Sequence, residues 1–212
     1  MDAQEIQCPS CGAGHTIYNP GLITLVCEYC GNAVYWDQEK IQDAGKQSIL
    51  PEGFSRLYRG ASGSLFGKRF HVLGRVRYSF GKGFWDEWFL EFEDGSTAWL
   101  SEDNHEFSYE NPYSAPAQER LPAFSDLSPG MTLTVNKTMY VIEELGQAEC
   151  LGVEGDLPLQ LQSGEKYAFA DGASPDGKYT LGIEYDSDPP TIFLGRWIKY
   201  ISLKLDDEGG EW

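Results

Sequence analysis

Two short cysteine motifs near the N-terminus restrict the fold of this chain more than any other feature. Cys8-Pro-Ser-Cys11 and Cys27-Glu-Tyr-Cys30 are both CxxC pairs, each followed by a glycine, and fifteen residues separate them. Two thiolates three positions apart on a tight turn can bind one metal ion, and the glycine permits the left-handed backbone that such a turn needs. The spacing therefore predicts a site in which four sulfur atoms surround one ion.

The residues between the two motifs predict a small hairpin. Residues 16–18 and 22–26 are β-prone, and Asn19-Pro20-Gly21 offers a turn between them. We interpret residues 1–36 as a zinc ribbon with one structural Zn²⁺, bound by Cys8, Cys11, Cys27 and Cys30. Iron is the alternative, because a four-thiolate shell suits both metals. Four cysteine ligands leave no open position for a substrate, so the ion is expected to stabilise the fold.

The stretch from Arg69 to Leu100 predicts the fold class of the remaining chain. Apolar and charged side chains alternate along residues 69–78 and again along residues 88–93. Asp94-Gly95 then offers a tight hairpin turn. We predict an all-β protein, in which the zinc ribbon is followed by two related small β-barrel or β-meander units.

A second β-rich block begins near Pro129-Gly130 and repeats the first. Lys68, Phe70 and Val72 match Lys137, Met139 and Val141 at an offset of 69, while Leu90 and Phe92 match Ile183 and Tyr185 at an offset of 93. The difference predicts an insertion of 24 residues within residues 146–178.

The expected domain organisation follows from these patterns. It comprises a zinc ribbon at 1–36, a linker at 37–52, a first β unit at 53–115, a second β unit at 116–205 with the insertion at 146–178, and an acidic tail at 206–212. The linker is assigned because the strand alternation stops there and polar residues increase.

The charge of the chain argues against nucleic-acid binding. Its formal net charge is −17, and a phosphate backbone needs clustered Lys and Arg. No apolar run is long enough to span a membrane. The N-terminal sequence MDAQEIQ lacks the features of an export signal, and the cysteines have metal-ligand spacing, so we expect a cytoplasmic protein.

No pattern in the sequence predicts catalysis. Asp86 and Glu87 are neighbours and would point to opposite faces of a strand, so they do not form a catalytic pair. Cys150 has acidic neighbours that would oppose a thiolate. The histidines are scattered, at His15, His71 and His105. A non-enzymatic protein is therefore expected.

Two functional hypotheses from different classes remain. The first is an interaction or scaffold module that docks a protein partner through aromatic and charged side chains, the candidates being Arg75, Arg77, Trp85, Glu87, Trp88 and Trp99. The alternative is a small-molecule or cation-binding protein, with a polyamine-like ligand or a metal held by Glu143, Glu144, Glu154, Asp156 and Glu184. The first requires an exposed apolar patch that includes tryptophan, and the second requires a concave pocket with convergent carboxylates.

The order of several motifs resembles a known family. CPSCG, CEYCG, FHVLGRVRY, WDEWFLEF, TAWLSED, MYVIEE, VEGDLP and IEY followed by IFLGRW resemble the bacterial domain of unknown function 4178, some members of which carry an N-terminal zinc ribbon. Trp85, Glu87 and Trp88 match its W-x-E-aromatic motif, and residues 155–158 match its G-E-L-P element, with Asp156 as the acid. The resemblance implies gene neighbourhoods with polyamine-synthesis enzymes, a role in envelope stress and a membrane-associated partner.

Overall fold

The computed structural model describes residues 4–36, 40–47, 49–50, 55–116 and 119–209. Strands make up most of its regular secondary structure. Within the described residues the helical segments are three short 3₁₀ turns, at Phe124–Asp126, Tyr200–Ser202 and Asp206–Gly209. The predicted all-β class is confirmed. None of the helices in these ranges is long and apolar enough to cross a membrane.

The cysteine-bearing region forms five short strands. β1 (Gln4–Gln7) pairs with β2 (Gly14–Ile17) in a separate hairpin. β3 (Thr24–Val26), β4 (Asn32–Trp36) and β5 (Ile41–Lys46) pair antiparallel in chain order. β5 falls within the predicted linker, and most of its side chains are exposed, which is why hydrophobic alternation gave no signal there. Residues 37–39, 48 and 51–52 of that linker lie outside the described residues.

Residues 62–112 form an antiparallel meander. Its strands are β6 (Ser62–Leu65), β7 (Lys68–Ser79), β8 (Phe84–Phe92), β9 (Thr97–Asp103) and β10 (Glu106–Pro112), each paired with the next. Phe66-Gly67 and Asn104-His105 connect strands through residues with positive φ, as two-residue hairpin turns require. The predicted turn at Asp94-Gly95 is also present, with a φ of 78° at Gly95.

A second meander follows with the same order. Its strands are β11 (Thr132–Val135), β12 (Thr138–Leu157), β13 (Lys166–Ala173), β14 (Tyr179–Tyr185) and β15 (Thr191–Ile198). β16 (Leu203–Leu205) then returns to pair with β6. The predicted acidic tail begins with Asp206, whose carboxylate accepts a hydrogen bond of 2.6 Å from Arg69, and residues 210–212 lie outside the described residues.

The two meanders close into a single barrel. β10 pairs with β15 on one side, and β7 pairs with β12 on the other. Strands β7, β8, β9, β10, β15, β14, β13 and β12 therefore form a continuous antiparallel ring of eight. The two predicted β units are thus halves of one closed sheet, and a closed sheet has no free edges. Their division into domains stays a prediction.

The halves are related by an internal repeat of 70 residues in their first two strands. The N–H of Gly60 donates to the carbonyl of Val72, and the N–H of Gly130 donates to that of Ile142. The offset of 69 predicted from the sequence is therefore wrong by one residue. An error of one residue matters because it assigns each side chain to the opposite face of its strand. Buried Phe70 corresponds to buried Tyr140, whereas Met139 is exposed.

The repeat continues beyond a matching bulge in each half. Past the bulge at Leu73, Gly74 pairs with Phe89, and past the bulge at Glu143, Glu144 pairs with Asp171. β8 therefore corresponds to β13, at an offset of 82, and not to β14 as the sequence match implied. The extra twelve residues lie in the second half of β12 and in the loop that precedes β13.

Three buried clusters stabilise the structure. The outer faces of the halves carry equivalent clusters, one including Leu57, Leu65, Phe70 and Leu100, the other Leu127, Val135, Tyr140 and Ile183. The third cluster joins the barrel interior to the cysteine-bearing region, with Val76, Phe89 and Trp99 packed together with Ile17, Leu25 and Trp36. Strand β3 also pairs with the end of β12. The cysteine-bearing region thus shares its core with the barrel.

The pairing of β7 with β12 provides a test of the closure of the barrel. Gly155 has a φ of 74°, and a Cβ atom there would lie 2.2 Å from the carbonyl oxygen of Leu73. We expect Gly155→Ala to lower the free energy of unfolding by about 3 kcal/mol or more, measured by urea titration. Gly164→Ala is the matched control, because its φ is 89° with nothing within 4 Å, and it should cost only about 1 kcal/mol. Equal losses in the two variants would contradict the close packing of these strands.

Candidate functional site

The four cysteines lie on two turns with the same backbone geometry. The N–H of Gly12 donates to the carbonyl of Cys8 at 2.8 Å, and the N–H of Gly31 donates to the carbonyl of Cys27 at 2.8 Å. The φ angles of the two glycines are 78° and 73°. Such angles favour glycine because it has no Cβ. The glycine after each CxxC pair is therefore the residue that the turn requires.

The two turns bring their sulfur atoms together. The Sγ of Cys8 lies 3.7 Å from that of Cys30, and the Sγ of Cys11 lies 3.6 Å from that of Cys27. All four sulfur atoms lie within 4.8 Å of one another. Metal–sulfur bonds of about 2.3 Å in a tetrahedral shell separate the sulfur atoms by about 3.8 Å. The donor set and its spacing fit one metal ion.

Contacts from neighbouring residues position the second cysteine turn. His15 Nε2 lies 3.3 Å from the Sγ of Cys27, close enough for a hydrogen bond between the imidazole and the thiol group. Arg59, which precedes β6, donates to Glu28 at 2.7 Å. The orientation of this turn, which joins β3 to β4, is thus tied both to strand β2 and to the segment that leads into β6.

A cavity of about 250 Å³ lies inside the barrel. Seven acidic residues line it, Glu87, Asp103, Glu110, Glu143, Glu144, Asp171 and Glu184. Six aromatic residues complete most of the wall, Phe80, Trp85, Tyr167, Phe169, Phe193 and Trp197. No lysine, arginine or histidine is among the lining residues that the structure describes. The interior is therefore strongly acidic and partly aromatic.

The internal repeat explains why the cavity is at this end of the barrel. In the first half Phe89 pairs with Trp99, and their rings lie 4.9 Å apart in the core shared with the cysteine-bearing region. At the equivalent positions of the second half, Asp171 pairs with Gly182. The bulge residue Leu73 is likewise replaced by Glu143. One end of the barrel is filled by aromatic side chains, and the equivalent end is acidic and open.

Three of the cavity glutamates accept hydrogen bonds from the protein through one of their two carboxylate oxygen atoms. Glu87 accepts from the indole N–H of Trp85 at 3.0 Å, and Glu184 accepts from the hydroxyl of Tyr167 at 3.1 Å. Glu110 accepts from Ser108 at 2.6 Å. Each of these bonds ends on Oε1, and Oε2 of each glutamate has no hydrogen-bond donor among the described residues. Each side chain thus retains an acceptor for a ligand.

Burial and mutual repulsion shift Glu87, Glu184 and Asp171 of the cavity toward their neutral forms. Burial raises the pKa of Glu87 to about 7. Burial and the neighbouring Glu87 raise the pKa of Glu184 well above its usual range. Burial, followed by the charges of Glu110 and Glu87, does the same to the pKa of Asp171. Glu87 and Glu184 are half-buried and Asp171 is exposed to the cavity, yet all three lie within the surrounding wall of the barrel. The low polarity of that surrounding disfavours ionisation.

The acids are not arranged as a metal site. Among the described residues, the cysteine quartet is the one group of three or more potential ligands close enough together to hold a metal ion. The carboxylates of the cavity come from several strands around the barrel and are spread over its wall. The arrangement suits a ligand of several atoms better than a single ion.

The structure separates the residues of the predicted interaction surface. Arg77 binds Asp86 through two hydrogen bonds of 2.7 Å, and Arg75 lies 2.8 Å from Glu154. Both arginines are buried. Trp88 and Trp99 are buried as well, while Trp85 and Glu87 line the cavity. These six side chains therefore do not share one exposed face.

The predicted cation site is brought together only in part. Glu143, Glu144 and Glu184 line the cavity, whereas Glu154 pairs with Arg75 on the outer face of the barrel. Asp156 lies at the junction with β3, where it pairs with Leu25. Sequence reasoning missed Asp103, Glu110 and Asp171 and assigned Glu87 to the other surface. Asp171 lies at a position where an inward-facing strand residue is normally apolar. An acid at such a position is the sequence feature that could have indicated the cavity.

Comparison with known proteins identifies a family. The family model described as a domain of unknown function (DUF4178) matches residues 59–200. The matched region covers both meanders and begins after the four cysteines. No curated protein and no solved structure matches the chain.

The cysteine quartet can be tested by metal analysis. We expect one metal ion per chain, and a large loss of bound metal in Cys11→Ser, because a three-thiolate site holds the ion less tightly. Cys150→Ala is the control, since Cys150 is buried outside the quartet and burial raises the pKa of its thiol to about 12. Elemental analysis and thiol titration measure both variants. Full metal content in Cys11→Ser would contradict this assignment.

Glu87 and Glu184 should make stability depend on pH. Their raised pKa values mean that the folded state binds more protons than the unfolded state between about pH 4.5 and pH 7. Their contribution to stability is therefore complete at low pH and is lost as pH rises. Relative to the unmodified chain, Glu184→Gln should gain about 1 kcal/mol or more at pH 8. Glu93→Gln, which is exposed, should gain nothing. A gain in Glu184→Gln that is larger at pH 5 than at pH 8 would contradict this.

Proposed function

The chain belongs to the DUF4178 family, and from that premise we propose that its barrel binds a small organic cation. The composition of the cavity wall carries this proposal, since the lining residues that the structure describes include seven acids, six aromatic residues and no base. Carboxylates attract ammonium groups and accept their hydrogen bonds, and aromatic faces attract cations. An anionic ligand would be repelled by every charged group in the wall.

The alternatives have less support. A metal ligand would need carboxylates that converge within a few ångströms, and the described part of the chain has no such group besides the cysteines. Docking of a protein through exposed tryptophans is weakened because Trp88 and Trp99 are buried. We therefore favour an amine or polyamine-like cation as the ligand, bound and not chemically changed.

We infer that the cysteine quartet holds a single structural Zn²⁺. A shell of four thiolates has no open position for chemistry, and zinc is the usual occupant of such ribbons. Metal binding of this kind contributes on the order of 10 kcal/mol to the folding of a small segment. The ion would keep the cysteine-bearing region packed against the end of the barrel that Phe89 and Trp99 fill.

Calorimetry with simple probes tests the proposal. We expect 1,4-diaminobutane to bind in the millimolar range or more tightly, and the uncharged 1,4-butanediol not to bind. Asp171→Asn should weaken binding of the diamine by about 10-fold to 100-fold, because hydrogen bonds to charged groups contribute about 1.5–3 kcal/mol. Glu93→Gln is the matched control, since Glu93 is an exposed acid outside the cavity, and it should bind as the unmodified chain does.

A second variant uses the internal repeat. A Cβ at Gly182 would lie 3.6 Å or more from its neighbours, so a side chain can extend into the cavity. Gly182→Trp places an indole where the first half has Trp99, and we expect it to fold and to lose binding. Equal affinity for the diamine and the diol, or full binding by Gly182→Trp, would refute the cavity as the site.

A further inference from the structure

Two acids of the cavity come from opposite walls of the barrel. Glu87 lies on β8 and Glu184 lies on β14, and these strands are four places apart in the ring of eight. Both line the same cavity, and their charges influence each other. The two carboxyl groups therefore face a common space from opposite sides.

Among the described residues of the cavity wall, no basic group compensates these two acids. The titratable groups around them are acidic or phenolic, from Tyr78 on β7, Asp103 on β9, Glu110 on β10, Glu143 and Glu144 on β12, Tyr167 and Asp171 on β13, and Asp186, which follows β14. The nearest buried bases, Arg75 and Arg77, are on the outer face of β7 and are engaged by Glu154 and Asp86. If all the acids were ionised, the empty cavity would contain several unbalanced negative charges.

We propose that the cavity exchanges protons for its cation: when it is empty, Glu87 and Glu184 hold protons, and these are released to solvent when a ligand with two ammonium groups binds between them. This inference rests on the proposed function and adds its regulation. The step balances, because each neutral carboxyl group loses one proton to water, and the two carboxylates that result are neutralised by the two ammonium groups of the ligand. The Oε2 atoms, which have no protein donor among the described residues, then accept the N–H groups of the ligand.

The direction of the pH effect follows from this exchange. Burial raises the pKa of Glu87 to about 7, and the pKa of Glu184 lies well above its usual range. Protons therefore compete with the cation around neutral pH. For each proton released, the dissociation constant should rise tenfold for every unit by which pH falls below these pKa values. Acidification would release the ligand, and alkaline conditions would retain it.

Proton release can be counted by calorimetry with 1,4-diaminobutane. Titrations at pH 7.5 in phosphate and in Hepes, which differ in ionisation enthalpy, separate the heat of proton transfer from that of binding. We expect at least about one proton released per diamine, and a dissociation constant that rises about tenfold or more from pH 7.5 to pH 6.5. Glu184→Gln should release fewer protons and show a shallower pH dependence. Glu93→Gln should match the unmodified chain.

The outcomes separate this inference from the function on which it rests. Binding with no proton release and a constant affinity between pH 6.5 and pH 8.5 would overturn proton exchange and leave the cation site standing. No binding of the diamine at any of these pH values would overturn both. Circular dichroism of Glu184→Gln shows whether that variant is folded, and Glu87→Gln, at the opposite wall, repeats the measurement independently.

Discussion

The pairing of β7 with β12 and of β10 with β15 is the constraint on which the rest of this structure depends. Each pairing joins a strand to its own equivalent in the other half, so the internal repeat becomes a two-fold relation across a closed ring. Antiparallel neighbours related in this way run in opposite directions, and the relation therefore exchanges the two ends of the barrel. Whatever the first half places at one end, the second half places at the other. Closure of this kind also needs close contact of backbones, as at Gly74 and Gly155.

The side chains at the two ends of the barrel nevertheless differ. At one end Phe89 and Trp99 join the apolar side chains of the cysteine-bearing region in a single cluster. At the other, Asp171 and Gly182 leave a cavity. An acid and a glycine at these positions forgo the apolar burial that their equivalents provide. The second half thus lacks stabilising apolar contacts that the first half has at equivalent positions. Such a difference is expected where the open end of the barrel has a function.

Local patterns in the sequence were sufficient for the fold class and the cysteine quartet, because both depend on short-range spacing. Alternation predicted β7 and β8, and the CxxC motifs placed all four ligands. The register of the repeat was harder to predict, because Phe66-Gly67 and Asn136-Lys137 form equivalent turns from unlike residues. The cavity depends on which strands face each other across the ring. Nothing local in the sequence brings Glu87 of β8 opposite Glu184 of β14.

Two groups of charged side chains in this chain illustrate how structure and function can be distinguished. Arg77 and Asp86 are buried together, and each charge is compensated by the other through two hydrogen bonds of 2.7 Å. Such a pair needs no ligand, because each charge is neutralised and hydrogen-bonded by the other. Glu87 and Glu184 are half-buried, Asp171 is exposed to the cavity, and none of the three has a basic partner among the wall residues that the structure describes. Uncompensated acids inside a barrel are costly to the folded state, and their cost is relieved by protons or by a cation. A cationic ligand would supply the positive charge that these acids lack. The acids are therefore better explained by binding of such a ligand than by a role in stabilising the fold.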